Sequence, residues 1–133
     1  MSNTFFKQAK RMSEMSDFWM CHTGCVVVYK GKVISTGYNS FKTHPIQCKY
    51  NKLRFPEDSP HSLHSEIHAL SHIAKAKNIN WSKVHVYTYR ENDSGNIAMS
   101  RPCTSCMGFI KDLGIKHIHY TTPDGYASEV LVY

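Results

Sequence analysis

His64-Ser65-Glu66, answered later in the chain by Pro102-Cys103-Thr104-Ser105-Cys106, brings together one imidazole, one carboxylate and a Cys-x-x-Cys pair. A structural zinc is closed by four protein ligands, whereas a catalytic zinc takes three and keeps its fourth position for water. His64, Cys103 and Cys106 supply three. Glu66 stands two residues from a ligand and is left over, able to face that water. Cysteines at i and i+3 fall on one helix face, a single turn apart. Pro102 suits the approach to a helix start, and the partial positive charge of such a start favours thiolates.

Working outward, His64 to Lys77 reads as a helix, with Ile67, Leu70, Ile73 and Ala74 on one face. Thr104 to Leu113 reads as a second helix, stopped by Gly114. Val84 to Tyr89 alternates like a strand, and Glu91 to Gly95 reads as a turn. Ile115 to Thr121 and Tyr126 to Val132 are strands joined at Pro123-Asp124-Gly125. So short a connection pairs them antiparallel, because a parallel crossover needs a dozen or more residues. Upstream, Phe5, Phe6, Ala9, Met12, Met15 and Trp19 make one apolar stripe over a helix from Asn3 to Trp19. Cys25 to Tyr29 and Lys32 to Thr36 are β-rich runs around Lys30-Gly31, the pattern of a tight hairpin. The order is α-β-β-α-β-α-β-β: an α/β chain, one domain over residues 1–133, with helices packed on a mixed sheet.

Ser40 to Leu63 has no clear period and holds Pro45, Pro56 and Pro60, so it reads as a long irregular segment. Lys42, Lys49, Lys52 and Arg54 interleave there with Phe41, Tyr50 and Phe55, a mixture suited to phosphate contact and base stacking, or simply to a solvated loop. His44, Cys48 and His61 are candidate ligands of a second, structural metal. A metal at Cys21, His22 and Cys25 is a further candidate, although small residues entering a core strand are the commoner explanation.

The 133 residues suffice for one hydrophobic core. No apolar run approaches the roughly 18 residues of a membrane span, and Met1 to Lys10 lacks the apolar centre of a signal peptide. The expectation is a cytoplasmic protein without membrane partners. In a reducing compartment, five cysteines with a Cys-x-x-Cys point to metal binding rather than disulfides. The net charge is +6, and residues 1–63 carry most of it, with nine Lys or Arg against four Asp or Glu. That imbalance suits an anionic partner such as a nucleotide or nucleic acid.

The pattern H-x-E…P-C-x-x-C is the zinc deaminase signature. On these residues the chain resembles the cytidine/deoxycytidylate deaminase superfamily, and among its members small deaminase-like proteins of phage and bacterial origin. The resemblance runs from about Gly24 to Thr121. It implies a three-layer α/β/α fold with a five-stranded mixed sheet, and one Zn2+ held by His64, Cys103 and Cys106. Glu66 would be the catalytic proton shuttle. Gly37-Tyr38-Asn39 resembles the family's strand-end segment, which implies substrate contact for Asn39; Ser65 and Cys103 would border the substrate carbonyl through their backbone. Tyr126, in the closing segment, is a candidate to stack on a base. Self-association is also implied.

Three functions follow as alternatives. The first is hydrolytic deamination of a small cytosine nucleotide or nucleoside, deoxycytidylate or cytidine. The second is deamination of cytosine or adenine in single-stranded DNA or RNA, for which the basic and aromatic segment would be the binding groove. The third is a zinc-binding interaction module without catalysis, in which Glu66 would have no task.

Overall fold

The computed structural model describes residues 4–18, 21–42, 44–51 and 63–132. Its first sheet element is the hairpin of β1 (Cys21–Tyr29) and β2 (Lys32–Tyr38). Lys30 and Gly31 link the two with φ of 53° and 76°, and two successive positive φ angles match the right-handed twist of paired strands. Further along the chain come β3 (His85–Asn92), β4 (His117–Thr122) and β5 (Gly125–Val130). The sheet order is β2-β1-β3-β4-β5. Only β3 and β4 run parallel, and the crossover between them is α4 (Thr104–Leu113).

Both faces of the sheet are covered, which gives three layers. On one face α1 (Thr4–Ser13) buries Phe6 and Ala9 against Val26, Val28, Tyr87 and Tyr89. On the other, α3 (Ser65–Ser71) and α4 bury Ile67, Leu70, Phe109 and Ile110 against Cys25, Val27 and Val86. The apolar run Cys25 to Val28 has no alternation because successive residues serve different cores. None of the described helices is long and apolar enough to cross a membrane.

The structure departs from the sequence reading in several places. The Ser40 to Leu63 segment contains a helix, α2 (Pro45–Asn51). Pro45 opens it, and the ring Nδ1 of His44 accepts from the Ile46 amide at 3.1 Å. Two features hid it: the helix is only seven residues long, and it buries polar Gln47 and Asn51 beside Tyr50. Helix α1 stops at Ser13 and leaves Met15 exposed, while Asn3 and Trp19 lie outside the described residues. Helix α3 ends at Ser71, not Lys77, and Ile73 and Ala74 reach the same core from the turns beyond it. Strand β1 begins at Cys21, so Cys21 and His22 are strand residues paired to Asn92 and Glu91. Lys52, Arg54, Phe55, Pro56, Pro60 and His61 lie outside the described residues.

Helix α3 lies directly on β2, and Gly37 permits it. A Cβ at Gly37 would sit 2.5 Å from the Ala69 amide nitrogen and 2.6 Å from the Ser65 carbonyl oxygen, both backbone atoms. The contact is tied by Ser35 Oγ donating to the Ala69 carbonyl at 2.6 Å and by the Tyr38 amide donating to His68 Nδ1 at 3.1 Å. Gly37→Ala should therefore cost about 1–3 kcal/mol, the range for overpacking a close contact. Urea denaturation measures it, and an unchanged midpoint would contradict the contact.

Candidate functional site

Two helix starts meet beside the parallel strands. His64 is the N-cap of α3, and Cys103 is the N-cap of α4, one turn before Cys106. Buried Gln47 of α2 positions His64: its Oε1 accepts from the His64 amide at 2.9 Å, while its Nε2 donates to Asn51 at 2.7 Å. The sequence reading missed this residue; a neutral amide in a segment without period carries no signal of its own.

His64 Nδ1 lies 3.3 Å from Cys106 Sγ and 3.6 Å from Cys103 Sγ. Tetrahedral bonds of about 2.0 Å to nitrogen and 2.3 Å to sulfur hold those atoms about 3.6 Å apart. The spacing thus fits a zinc ion. All three donor atoms lie within 4.8 Å of one another, the only such group of three or more among the described residues. The donor set suits zinc as well, two soft sulfurs and one imidazole. The hydrogen bond from Cys106, with help from His64, holds the Cys103 thiol down to about 3, and the same bond together with burial pushes the Cys106 thiol up.

Glu66 is buried and outside the donor group. Ser65 Oγ donates to its Oε1 at 2.7 Å. Burial raises its pKa, opposed by the nearby His64 and by the Ser65 hydroxyl.

His64, Ser65, Glu66 and Cys103 line a cleft of about 140 Å³ with Thr23 of β1, Thr88 and Arg90 of β3, and Met99, Ser100 and Arg101 of the segment before α4. The cleft is smaller than the roughly 300–1,000 Å³ of a drug-sized pocket and matches a single ring. It opens where the carboxyl half of β3 parts from β4, the usual ligand position in an open α/β sheet. Ser100 holds the parting open. Its amide donates to the Thr121 carbonyl at 2.9 Å and its Oγ to the Thr88 carbonyl at 3.0 Å, and that Oγ accepts from the Thr121 amide at 2.7 Å. On the rim, Arg101 reaches Glu129 through Nε and Nη2 at 3.0 and 2.9 Å. No ion pair or hydrogen bond engages the Arg90 guanidinium among the described residues. Sequence reading did not single out Thr88, Arg90, Ser100 or Arg101, because their neighbours come from distant strands.

Of the residues expected at the site, His64, Ser65, Glu66, Cys103 and Cys106 converge. Asn39 does not line the cleft. Its amide clamps β1 instead, Oδ1 accepting from the Thr23 amide at 2.9 Å and Nδ2 donating to the Cys21 carbonyl at 3.0 Å. Tyr126 is turned away: its ring stacks on Phe6 of α1 at 4.2 Å, so the sheet lies between it and the cleft. Base stacking by Tyr126 is thereby corrected, since an edge-strand side chain goes to the face its register dictates. The second-metal candidates Cys21, His22, Cys25, His44 and Cys48 form no three-donor group among the described residues.

The family model for the cytidine and deoxycytidylate deaminase zinc-binding region matches residues 1–122. No curated protein matches the chain. Among solved structures, the apo dCMP deaminase of cyanophage S-TIM5 is 22% identical, covers 90% of this chain and 81% of its own, and superposes with a TM-score of 0.62. The same enzyme in complex with dCMP and dUMP is 21% identical, covers 90% and 79%, and gives 0.61. Cytidine deaminase of Burkholderia pseudomallei is 14% identical, covers 98% and 92%, and gives 0.66. At these identities the likeness establishes the shared fold. The family match over residues 1–122, joined to the His64, Cys103 and Cys106 cluster, assigns this chain to the cytidine and deoxycytidylate deaminase family.

Proposed function

We propose that this chain is a zinc-dependent hydrolase that deaminates the cytosine ring of a free nucleoside or nucleotide to the uracil product, releasing ammonia. The observation that carries this reading is a buried carboxylate, Glu66, in the same cleft as the donor triad but outside it. A purely structural zinc gives such a carboxylate nothing to do. A zinc ion held by His64, Cys103 and Cys106 would supply Lewis acidity, lowering the pKa of a water in its fourth position to about 7.

The chain's own groups would handle the protons. Glu66 accepts a proton from the attacking water and delivers it to the ring nitrogen. It then takes the second proton from the hydroxyl now on the ring carbon, passes it to the amino group as the carbon–nitrogen bond breaks and ammonia leaves, and ends in its starting state. Ser65 Oγ, already bonded to Oε1, fixes the carboxylate's orientation. The Ser65 and Cys103 backbone borders the ring carbonyl, and Asn39 acts through the strand that carries Thr23. The cleft is sized for one ring, and the modest net charge of +6 favours a small substrate over a polymer. Arg90, exposed on the rim two residues beyond Thr88, is the cation a 5′-phosphate would meet.

The full chain, reconstituted with zinc and desalted, should retain one tightly bound ion by metal analysis. His64→Ala and Cys103→Ser should lose it, and Glu66→Gln should keep it.

Ammonia release from dCMP, CMP, deoxycytidine, cytidine and short single strands tests the reaction. Glu66→Gln should lower kcat by about 10²–10⁴-fold, the scale of a general acid–base group. Unchanged turnover in that variant would refute its role, and activity confined to oligonucleotides would transfer the assignment to single strands.

Arg90→Ala should reduce kcat/KM for dCMP by about tenfold, the worth of one charge-assisted hydrogen bond, and leave deoxycytidine turnover unchanged. Equal losses on both substrates would exclude a phosphate contact.

A further inference from the structure

The sheet face opposite the cleft carries a histidine cluster with no part in the proposed reaction. His85 and Tyr87 of β3 stand directly across from His117 and His119 of β4. Tyr87 belongs to the α1 side, and residues opposed in register share a face. There His85 Nδ1 lies 2.8 Å from His119 Nε2. His119 Nδ1 lies 2.6 Å from Ser128 Oγ of β5. The rings are braced flat: His117 stacks on His85 at 4.3 Å and 11°, and Tyr87 on His119 at 4.2 Å and 10°.

The 2.8 Å contact is a hydrogen bond, one ring donating and the other accepting. Two imidazole nitrogens on one zinc, with bonds of about 2.0–2.1 Å in a tetrahedron, stand about 3.3 Å apart. The ring centres lie 5.1 Å apart, so the two nitrogens face each other head-on, and an ion in place of the shared proton needs the rings to part by about half an ångström and to tilt until both nitrogens point at it. We propose that His85 and His119 form a second metal site, a two-imidazole seat for a late first-row divalent cation such as Ni2+, Cu2+ or Zn2+, with water completing the coordination.

Three observations support it. The two donors are already adjacent, held within 2.8 Å of each other with Ser128 bonded to one ring and a stacking partner on each. Their chemistry is nitrogen alone, which suits Ni2+, Cu2+ and Zn2+ and sets the seat apart from the thiolate centre. Both rings are also neutral at neutral pH, as ligation requires: burial lowers the pKa of His85 and, together with the nearby His85 and His117, holds His119 down to about 4. His117 is a flanking ring, not a third ligand, because the only three-donor group among the described residues is at the cysteines.

The test uses the full chain with its thiolate centre already loaded with zinc, titrated with Ni2+ in a calorimeter. One further equivalent should bind, with affinity falling at least about tenfold in His85→Gln and His119→Gln, no less than the loss typical of weaker, outer partners. His68 and His72 on α3, with rings 5.1 Å apart, are the competing pair. Binding that survives both substitutions and vanishes in His72→Gln would overturn the proposal, as would the absence of a second equivalent. If either variant fails to fold, ring nitrogen-15 spectra of the unmodified protein decide: added Zn2+ should shift the His85 and His119 resonances, and unmoved resonances would refute the site. These readouts do not depend on deaminase activity.

Discussion

Three donor atoms on two different helices have to meet within 4.8 Å, and neither helix can arrange this by itself. The position of His64 depends on how closely α3 lies on β2, which the missing side chain at Gly37 allows. It depends also on Gln47, which holds the His64 amide from a third helix. The cysteines depend on the crossover from β3 to β4, because α4 starts where that connection turns back over the sheet. Small errors in either support would matter, since the spacing that fits a tetrahedral ion varies by only tenths of an ångström. The layered core is, in this sense, the scaffold of one short-range contact.

Much of this arrangement was legible before any coordinates. His64, Glu66, Cys103 and Cys106 announce themselves because metal chemistry restricts both residue type and spacing. The Cys25 to Val28 run and the Lys30-Gly31 turn disclose the hairpin, since burial on two faces and a positive φ each limit composition. Strand β1 extends further back than the β-rich run suggests, because Gly24 interrupts that run and Cys21 and His22 carry no β-rich signature, although the ladder with β3 includes them. Helix α2 escaped because its buried face is half polar, so hydrophobic periodicity had nothing to register. Tyr126 failed differently. Alternation on β5 implied that one set of residues faces a layer, but not which layer that is.

The residues that shape the cleft share a property that sequence does not encode locally. Thr88, Ser100 and Thr121 form a buried hydroxyl cluster in which each member answers groups from a distant segment. Buried polar groups must find partners, because an unmet one costs about 1–3 kcal/mol. Here those partners keep β3 and β4 apart at their carboxyl ends, so the requirement for hydrogen bonding and the existence of a cavity are the same fact. Ser100 would read as an ordinary loop residue in isolation.

The pairing of β1 with β3 has a consequence for the order of folding. Cys21 bonds across to Asn92, so most of the chain separates the two partners, whereas β1 meets β2 across a two-residue turn. Closing a long loop costs entropy before any contact repays it, and non-local pairing is correspondingly slow. The β1–β2 hairpin can form early, with α3 and His64 docked on it. The cysteines come later in the chain, where the α4 crossover begins beyond β3. Ligand capture is thus a late event, and a nascent chain that ends before residue 103 holds the histidine without either sulfur.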